Sequence, residues 1–221
     1  DLLLTPSPDG DENLLSEGVH PKKIVRVGNI MMDSLELVRP RIEETKYWEK
    51  LSLKPGGYGL ITLHRPSNVD DPEQLDTLCQ SLVEASRKLP LVFPLHPRTK
   101  KNLEAFALLH LLEDCEGIIC TEPLGYCDFM SLLFACRLVV TDSGGIQEET
   151  TYLGIPCLTR RDNTERPITV TMGTNKLVTS EEIPSEVDAI LKSSDCERSV
   201  PEFWDGQTAK RTAEALRKLT V

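Results

Sequence analysis

The sequence has no Gly-x-Gly-x-x-Gly and no Gly-x-x-x-x-Gly-Lys-Ser/Thr stretch, so neither the dinucleotide fingerprint nor the P-loop applies. It has no Cys-x-x-Cys pair among its seven cysteines, Cys79, Cys115, Cys120, Cys127, Cys136, Cys157 and Cys196, which argues against a zinc site. Their odd number, wide spacing and mostly apolar surroundings point to reduced core thiols, and so to a reducing, cytoplasmic compartment. No signal peptide, transmembrane-length apolar run, internal repeat or low-complexity tract is visible. There is no excess of basic charge either. With 25 Lys and Arg against 35 Asp and Glu the net charge is −10, which argues against a nucleic-acid groove or an anionic membrane surface as partner. An anionic ligand then needs a local site, such as a helix end with a few basic residues. An initiator Met is also lacking. Asp1-Leu2-Leu3-Leu4-Thr5-Pro6 reads as the end of a strand, and the chain is expected to begin inside a larger protein.

What is present suits a globular fold. Hydrophobic content is 39% and charged content 27%, and 221 residues are enough to bury a substantial core. The most informative stretch is Leu138-Val139-Val140-Thr141-Asp142-Ser143-Gly144-Gly145-Ile146-Gln147-Glu148-Glu149. An apolar, β-branched run stops at Asp-Ser-Gly-Gly and continues into residues that suit a helix. Two adjacent glycines remove both Cβ atoms where a ligand could touch backbone, and the free N–H groups of a helix start attract phosphate. Glu148 and Glu149 follow at a distance suited to sugar or ribose hydroxyls. The plainer alternative is a sharp βα turn with Ser143 as helix N-cap.

From residue 54 onward strand and helix signals alternate. Strands are expected at 58–63, 91–95, 117–120, 138–141, 156–159 and 176–179. Helices are expected at 72–89, 99–114, 126–135, 146–153, 167–172, 183–192 and 207–219. This rhythm implies a parallel sheet covered by helices on both faces, with ligands beyond the carboxyl ends of the strands. Four chemistry-bearing segments lie at such ends: His64-Arg65, His96-Pro97-Arg98, Asp142 to Gly145, and Arg160 to Arg166. Residues 1–50 differ: strand, helix (11–17), turn, strand (23–27), then a helical stretch over 33–50 interrupted at Pro40. They read as the tail of a preceding domain plus a linker helix, with 51–221 as the main domain. The last helix carries Ala209, Ala213 and Leu216 on one face, which must pack on something.

With these segments placed, the chain resembles the non-hydrolysing UDP-N-acetylglucosamine 2-epimerases. The matching pieces are Val27-Gly28-Asn29, Thr62-Leu63-His64-Arg65, Pro94-Leu95-His96-Pro97, the Asp142 to Glu149 octamer, Leu153-Gly154-Ile155-Pro156, and Arg161-Asp162-Asn163-Thr164-Glu165-Arg166-Pro167. The resemblance implies the Rossmann-like C-terminal, UDP-binding domain of a GT-B fold with a remnant of the N-terminal domain. It implies a reaction in which UDP leaves C1 while a base removes the C2 proton, followed by re-addition that inverts C2. UDP-GlcNAc and UDP are the implied ligands, a homodimer is the family's common state, and neither metal nor nicotinamide is needed.

Residue roles follow from the same resemblance. Ser143, Gly144 and Gly145 bind the diphosphate, Glu149 the ribose hydroxyls, and His64 assists C1–O cleavage. Arg166 adds charge near sugar or phosphate, or else forms a surface ion pair with Glu165. His96 sits where family members contact an activating second substrate molecule, or else is structural. Residues 123–129 shape the uracil pocket, although Tyr126 and Phe129 suit a core equally. Two departures stand out: many relatives read Gly-His-Arg-Arg-Glu where this chain has Leu63-His64-Arg65-Pro66-Ser67, and many carry Glu where it has Ile168. The family's acid/base carboxylates belong to the N-terminal domain, which this chain is expected to lack. A GT-B glycosyltransferase donor domain and a non-enzymatic nucleotide-sugar sensor are the alternatives.

Overall fold

The computed structural model describes residues 2–193 and 199–218. Its first part runs β1 (Leu3–Thr5), α1 (Pro8–Ser16), β2 (Ile24–Arg26), α2 (Ile30–Thr45) and α3 (Tyr47–Lys50). Then follow β3 (Gly59–Thr62), α4 (Pro66–Val69), α5 (Pro72–Ser86), β4 (Leu91–Pro94), α6 (Pro97–Ala105), α7 (Leu109–Glu113), β5 (Ile118–Thr121) and α8 (Tyr126–Ala135). The remainder is β6 (Leu138–Thr141), α9 (Gly144–Leu153), β7 (Cys157–Thr159), α10 (Pro167–Thr171), β8 (Asn175–Leu177), α11 (Ile183–Lys192) and α12 (Thr208–Arg217). No helix among the described residues is long and apolar enough to cross a membrane.

Two parallel sheets result. β1 and β2 pair alone, and six strands pair in the order β5-β4-β3-β6-β7-β8. Every pairing in the larger sheet is parallel, so the chain adopts the parallel α/β fold expected from the alternating signals and the Rossmann-like class that the resemblance implied. Side chains alternate between its faces with the period of two that a strand imposes. Ile61, Leu91, Phe93 and Val140 point into a core closed by α5, α6, α7 and α11. Leu60, Val92 and Val139 point into the opposite core, closed by α2, α8 and α9. Covering both faces is why β3, β4 and β6 are almost wholly buried. Gly59 is glycine for a packing reason: a Cβ there would stand 2.7 Å from Leu91 Cδ2 on the neighbouring strand.

The register sets the site. Thr62, Thr141 and Thr159 are Cα partners across β3, β6 and β7, so the loops leaving these three strands emerge side by side. Strand order reverses between β3 and β6, and ligands of such sheets bind at that switch point.

Two expectations fail locally. The helix over 99–114 is two helices, because Ala107 adopts a left-handed φ of 56°. There Leu108 N donates to Leu103 O at 2.8 Å and closes α6 in a Schellman-like turn. The helix over 33–50 is not interrupted at Pro40. Pro40 lies inside α2 on its exposed side, where the carbonyl it leaves without a donor can meet water. The break comes instead at Lys46, φ 40°. α2 packs through Leu35 and Ile42 into the same core as α8, although the sequence grouped it with the first fifty residues. Trp204 and Met32 form a smaller core with Ile168, and Trp204 Nε1 donates to Pro6 O at 2.9 Å. Six cysteines are free thiols; Cys196 lies outside the described residues.

Candidate functional site

The chain reverses from β6 into α9 through Asp142 and Ser143. Asp142 is fully buried and organises the switch point. Its Oδ2 accepts from the backbone N–H of His64 at 2.9 Å, from that of Arg65 at 2.8 Å, and from Asn68 Nδ2 at 3.0 Å. Its Oδ1 lies 3.0 Å from His64 Nδ1. Burial alone would raise the carboxyl's pKa, yet donors from His64, Arg65 and Asn68 hold it below the usual range. Arg65 Nε returns to the carbonyl of Asp142 at 3.0 Å, and Asn68 Nδ2 also reaches Arg160 O at 3.0 Å. One aspartate therefore fastens the ends of β3, β6 and β7 together.

His64 benefits directly. The hydrogen bond to Asp142 raises its pKa above 6.5, against the opposing effects of partial burial and of Arg65. With Nδ1 committed to the carboxylate, Nε2 is the nitrogen left for a ligand. The His96 ring lies beside it, centroids 5.2 Å apart and tilted by 36°. His96 Nδ1 accepts from Arg98 N at 3.2 Å, so this histidine caps α6 as well as facing His64.

The start of α9 is open. Ser143 occupies the N-cap position but makes no side-chain cap hydrogen bond, so the plainer alternative of an ordinary serine cap does not hold. Its own N–H is taken by Thr141 Oγ1 at 3.0 Å. A Cβ on Gly144 would meet nothing within 4 Å, and one on Gly145 would meet only Met31 Cε at 3.3 Å and Ser143 Oγ at 4.0 Å. The first turn of α9 thus carries no side chain of its own at Gly144 and Gly145 and no side-chain cap, with the positive end of the helix dipole behind it.

Two buried carboxylates follow on α9. Glu149, 5% exposed, accepts from Tyr126 Oη at 2.9 Å, and burial pushes its pKa up to about 7. Tyr126 itself is 49% exposed, so it lies at the surface rather than in the core. Phe129, three residues on, packs instead against the α8–α9 core. Glu148 accepts from Asn29 Nδ2 at 3.1 Å and lies 3.0 Å from Arg166 Nε, with burial raising its pKa against the pull of Arg166. Arg166 is thus paired with Glu148 and not with the Glu165 carboxylate, which Arg161 holds at 2.7 Å. The ion pair expected between neighbours gives way to one across elements.

All seven singled-out residues lie at one edge of the sheet. His64, His96, Ser143, Gly144 and Gly145 surround the switch point; Glu149 lies on α9, and Arg166 is joined to α9 through Glu148. Sequence reasoning gave no role to Asn68 or Gln147, offered Glu148 only to sugar or ribose hydroxyls, and placed Asp142 in a chemistry-bearing segment without a role of its own. The signal was in hand for Asp142, since it stands at the strand end with the motif, but its partners are 74 to 78 positions away and only strand order unites them.

Known proteins resemble this chain in sequence and fold. The profile of a family described as UDP-N-acetylglucosamine 2-epimerase matches residues 1–217. A UDP-N-acetylglucosamine 2-epimerase of Methanococcus maripaludis is 39% identical over 202 residues, 88% of this chain and 55% of its own length. A UDP-2,3-diacetamido-2,3-dideoxy-D-glucuronate 2-epimerase of Pseudomonas aeruginosa is 36% identical over 226 residues, 99% of this chain and 60% of its own length. The crystal structure of the Methanocaldococcus jannaschii UDP-GlcNAc 2-epimerase, in complex with UDP-GlcNAc and UDP, matches with a TM-score of 0.83 at 34% identity. That match covers 97% of this chain and 61% of the other. The chain therefore spans 55% to 60% of the length of these two curated relatives.

Proposed function

The chain belongs to the UDP-N-acetylglucosamine 2-epimerase family, and from that premise we propose that it supplies the UDP-binding part, with one catalytic group, of a non-hydrolysing enzyme that interconverts UDP-GlcNAc and UDP-ManNAc. In this reading a base takes the C2 proton and the C2–H electron pair forms the C1=C2 double bond of a glycal. UDP departs with the electron pair of the C1–O bond. Return of UDP to C1, with a proton delivered to the opposite face of C2, completes the inversion.

This chain's residues act on the UDP half. The α9 first-turn amides and Ser143 Oγ receive the diphosphate. Negative charge grows there as C1–O lengthens, so these donors bind the transition state more tightly than the substrate. His64, whose protonated form Asp142 favours, presents Nε2–H to the departing phosphate. Arg166 adds positive charge, Glu149 accepts from the ribose hydroxyls, and Tyr126 with residues 123–129 borders the uracil. The base that takes the C2 proton lies outside this set.

The observation that supports the reading most is a conjunction at the switch point: an α9 start without a side-chain cap beside a histidine gripped by a buried aspartate. Calorimetric titration with UDP, using UMP and ADP as controls, tests it. Saturable binding is expected for UDP and weaker binding for the controls. No binding at millimolar UDP would overturn a working nucleotide site on this chain. For the reaction, deuterium from heavy water should enter C2 of UDP-GlcNAc. UDP-2,3-diacetamido-2,3-dideoxyglucuronate is the competing substrate to run beside it, because a relative of comparable identity bears that name. Assembly as a homodimer belongs to the same proposal and is checked by sedimentation.

A further inference from the structure

We infer that Gln147 is a positioning residue for Arg166, tying the arginine-bearing loop to the phosphate-facing turn of α9. The inference rests on the UDP-binding reading above. Gln147 is fully buried, one helical turn beyond Ser143. Its Nε2 donates to the Ser143 carbonyl at 3.3 Å. Its Oε1 accepts from Thr164 Oγ1 at 2.6 Å and from Asn175 Nδ2 at 3.1 Å.

Both arms continue to Arg166. Thr164 Oγ1 accepts from the Arg166 backbone N–H at 2.9 Å. Asn175 Nδ2 also reaches Thr169 Oγ1 at 3.2 Å, and that hydroxyl donates to the Arg166 carbonyl at 2.7 Å. The two main-chain groups of Arg166 are each fixed by a threonine, and both threonines hang on the amides of Gln147 and Asn175. Arg166 is otherwise only the N-cap of α10, a helix of five residues, whose Thr169 N–H also donates to its carbonyl at 3.0 Å.

The chemistry calls for an amide. The Ser143 carbonyl needs a donor, while the Thr164 hydroxyl and Asn175 N–H need an acceptor, and a carboxamide offers both without charge. Methionine fills the same length and offers neither. Glutamate keeps the acceptor but loses the donor and places a charge among neutral groups.

The test is a double-mutant cycle on UDP affinity with Gln147→Met, Arg166→Ala and the pair, combined with amide exchange at Arg166. Each single substitution should weaken UDP by about tenfold, and the double substitution should bind no more weakly than Arg166→Ala. Additive losses would overturn the inference, because they mean that Gln147 acts on something other than Arg166. So would an Arg166→Ala protein with unchanged affinity. Gln147→Met should also speed exchange of the Arg166 N–H about tenfold relative to amides of α5. Unchanged exchange refutes the tether whether or not UDP binds. Failure of the unsubstituted chain to bind UDP counts against the proposed function instead. Thr164→Val removes only the hydroxyl that links the amide to Arg166 and should reproduce the same pattern. It serves if Gln147→Met does not fold.

Discussion

Two helices, α5 and α9, begin at the same edge of the sheet on the segments that leave neighbouring strands, and they treat their first-turn amides in opposite ways. α5 is sealed: Asp71 Oδ1 accepts from Gln74 N at 2.9 Å, and Pro72 removes another donor at the first position. α9 is left open, with a serine that does not cap and two glycines, of which Gly144 faces open space. The sealed start stabilises its own helix. The open start forgoes that stabilisation and keeps its dipole available to an anion. A helix start that the protein itself does not satisfy is thus informative only beside one that it does.

The largest effect expected from breaking this contrast is at Ser143. Ser143→Asp converts the open start into a sealed one and sets a carboxylate against the diphosphate. UDP affinity should fall about a thousandfold, while the melting temperature stays level or rises by the worth of a cap, about 1 kcal/mol. Calorimetry and a thermal melt read the two opposite signs. Loss of both would make Ser143 merely structural.

Next is His64. His64→Ala should lower kcat of the proposed epimerisation about a hundredfold, with a smaller change in KM. Because Asp142 raises the His64 pKa above 6.5, UDP affinity should decline as pH rises through that elevated value. His64→Ala should flatten the decline. The stability that the same pair contributes follows the same direction: it is complete below pH 6.5 and lost as pH passes the raised pKa.

A smaller effect separates the two carboxylate settings. Glu149 titrates near 7 instead of 4.5 because it is buried. Its protonated form is the one the fold favours, so stability is complete below about pH 4.5 and declines up to about pH 7. Glu149→Gln should remove that decline and raise stability at pH 8 by about 2–3 kcal/mol, measured by melts at pH 5 and pH 8. A pH dependence that persists would locate the titration elsewhere. The least effect belongs to the sealed helix. Asp71→Ala should cost about 1 kcal/mol and leave UDP affinity unchanged; a change in affinity would dissolve the contrast between α5 and α9.

Much of this was legible from residue order. Strand 138–141 and helix 183–192 coincide with β6 and α11, since each has its periodicity and boundary residues in one local window. The open glycine turn was legible because strand, turn and helix are contiguous. Three things were not. Ala107 in a left-handed turn has no sequence mark, since alanine reads as a helix former. Pro40 stays within α2 because only packing decides which side of a helix faces water. The grip of Asp142 on residues 64, 65 and 68 depends on β3 lying beside β6, which no local signal encodes.

That grip is lopsided in a way that bears on how the chain can change over generations. Two of the donors to Asp142 are main-chain amides, and a main-chain amide survives every replacement of its side chain except proline. A replacement at position 65 therefore loses the Arg65 Nε bond to the Asp142 carbonyl but keeps the main-chain bond to its carboxylate, whereas position 142 must keep a short acceptor with two oxygens. Selection on the His64 ring, by contrast, acts on what the ring does and not on how its strand is anchored. A lineage that abandoned its ligand would be expected to lose the imidazole long before the aspartate.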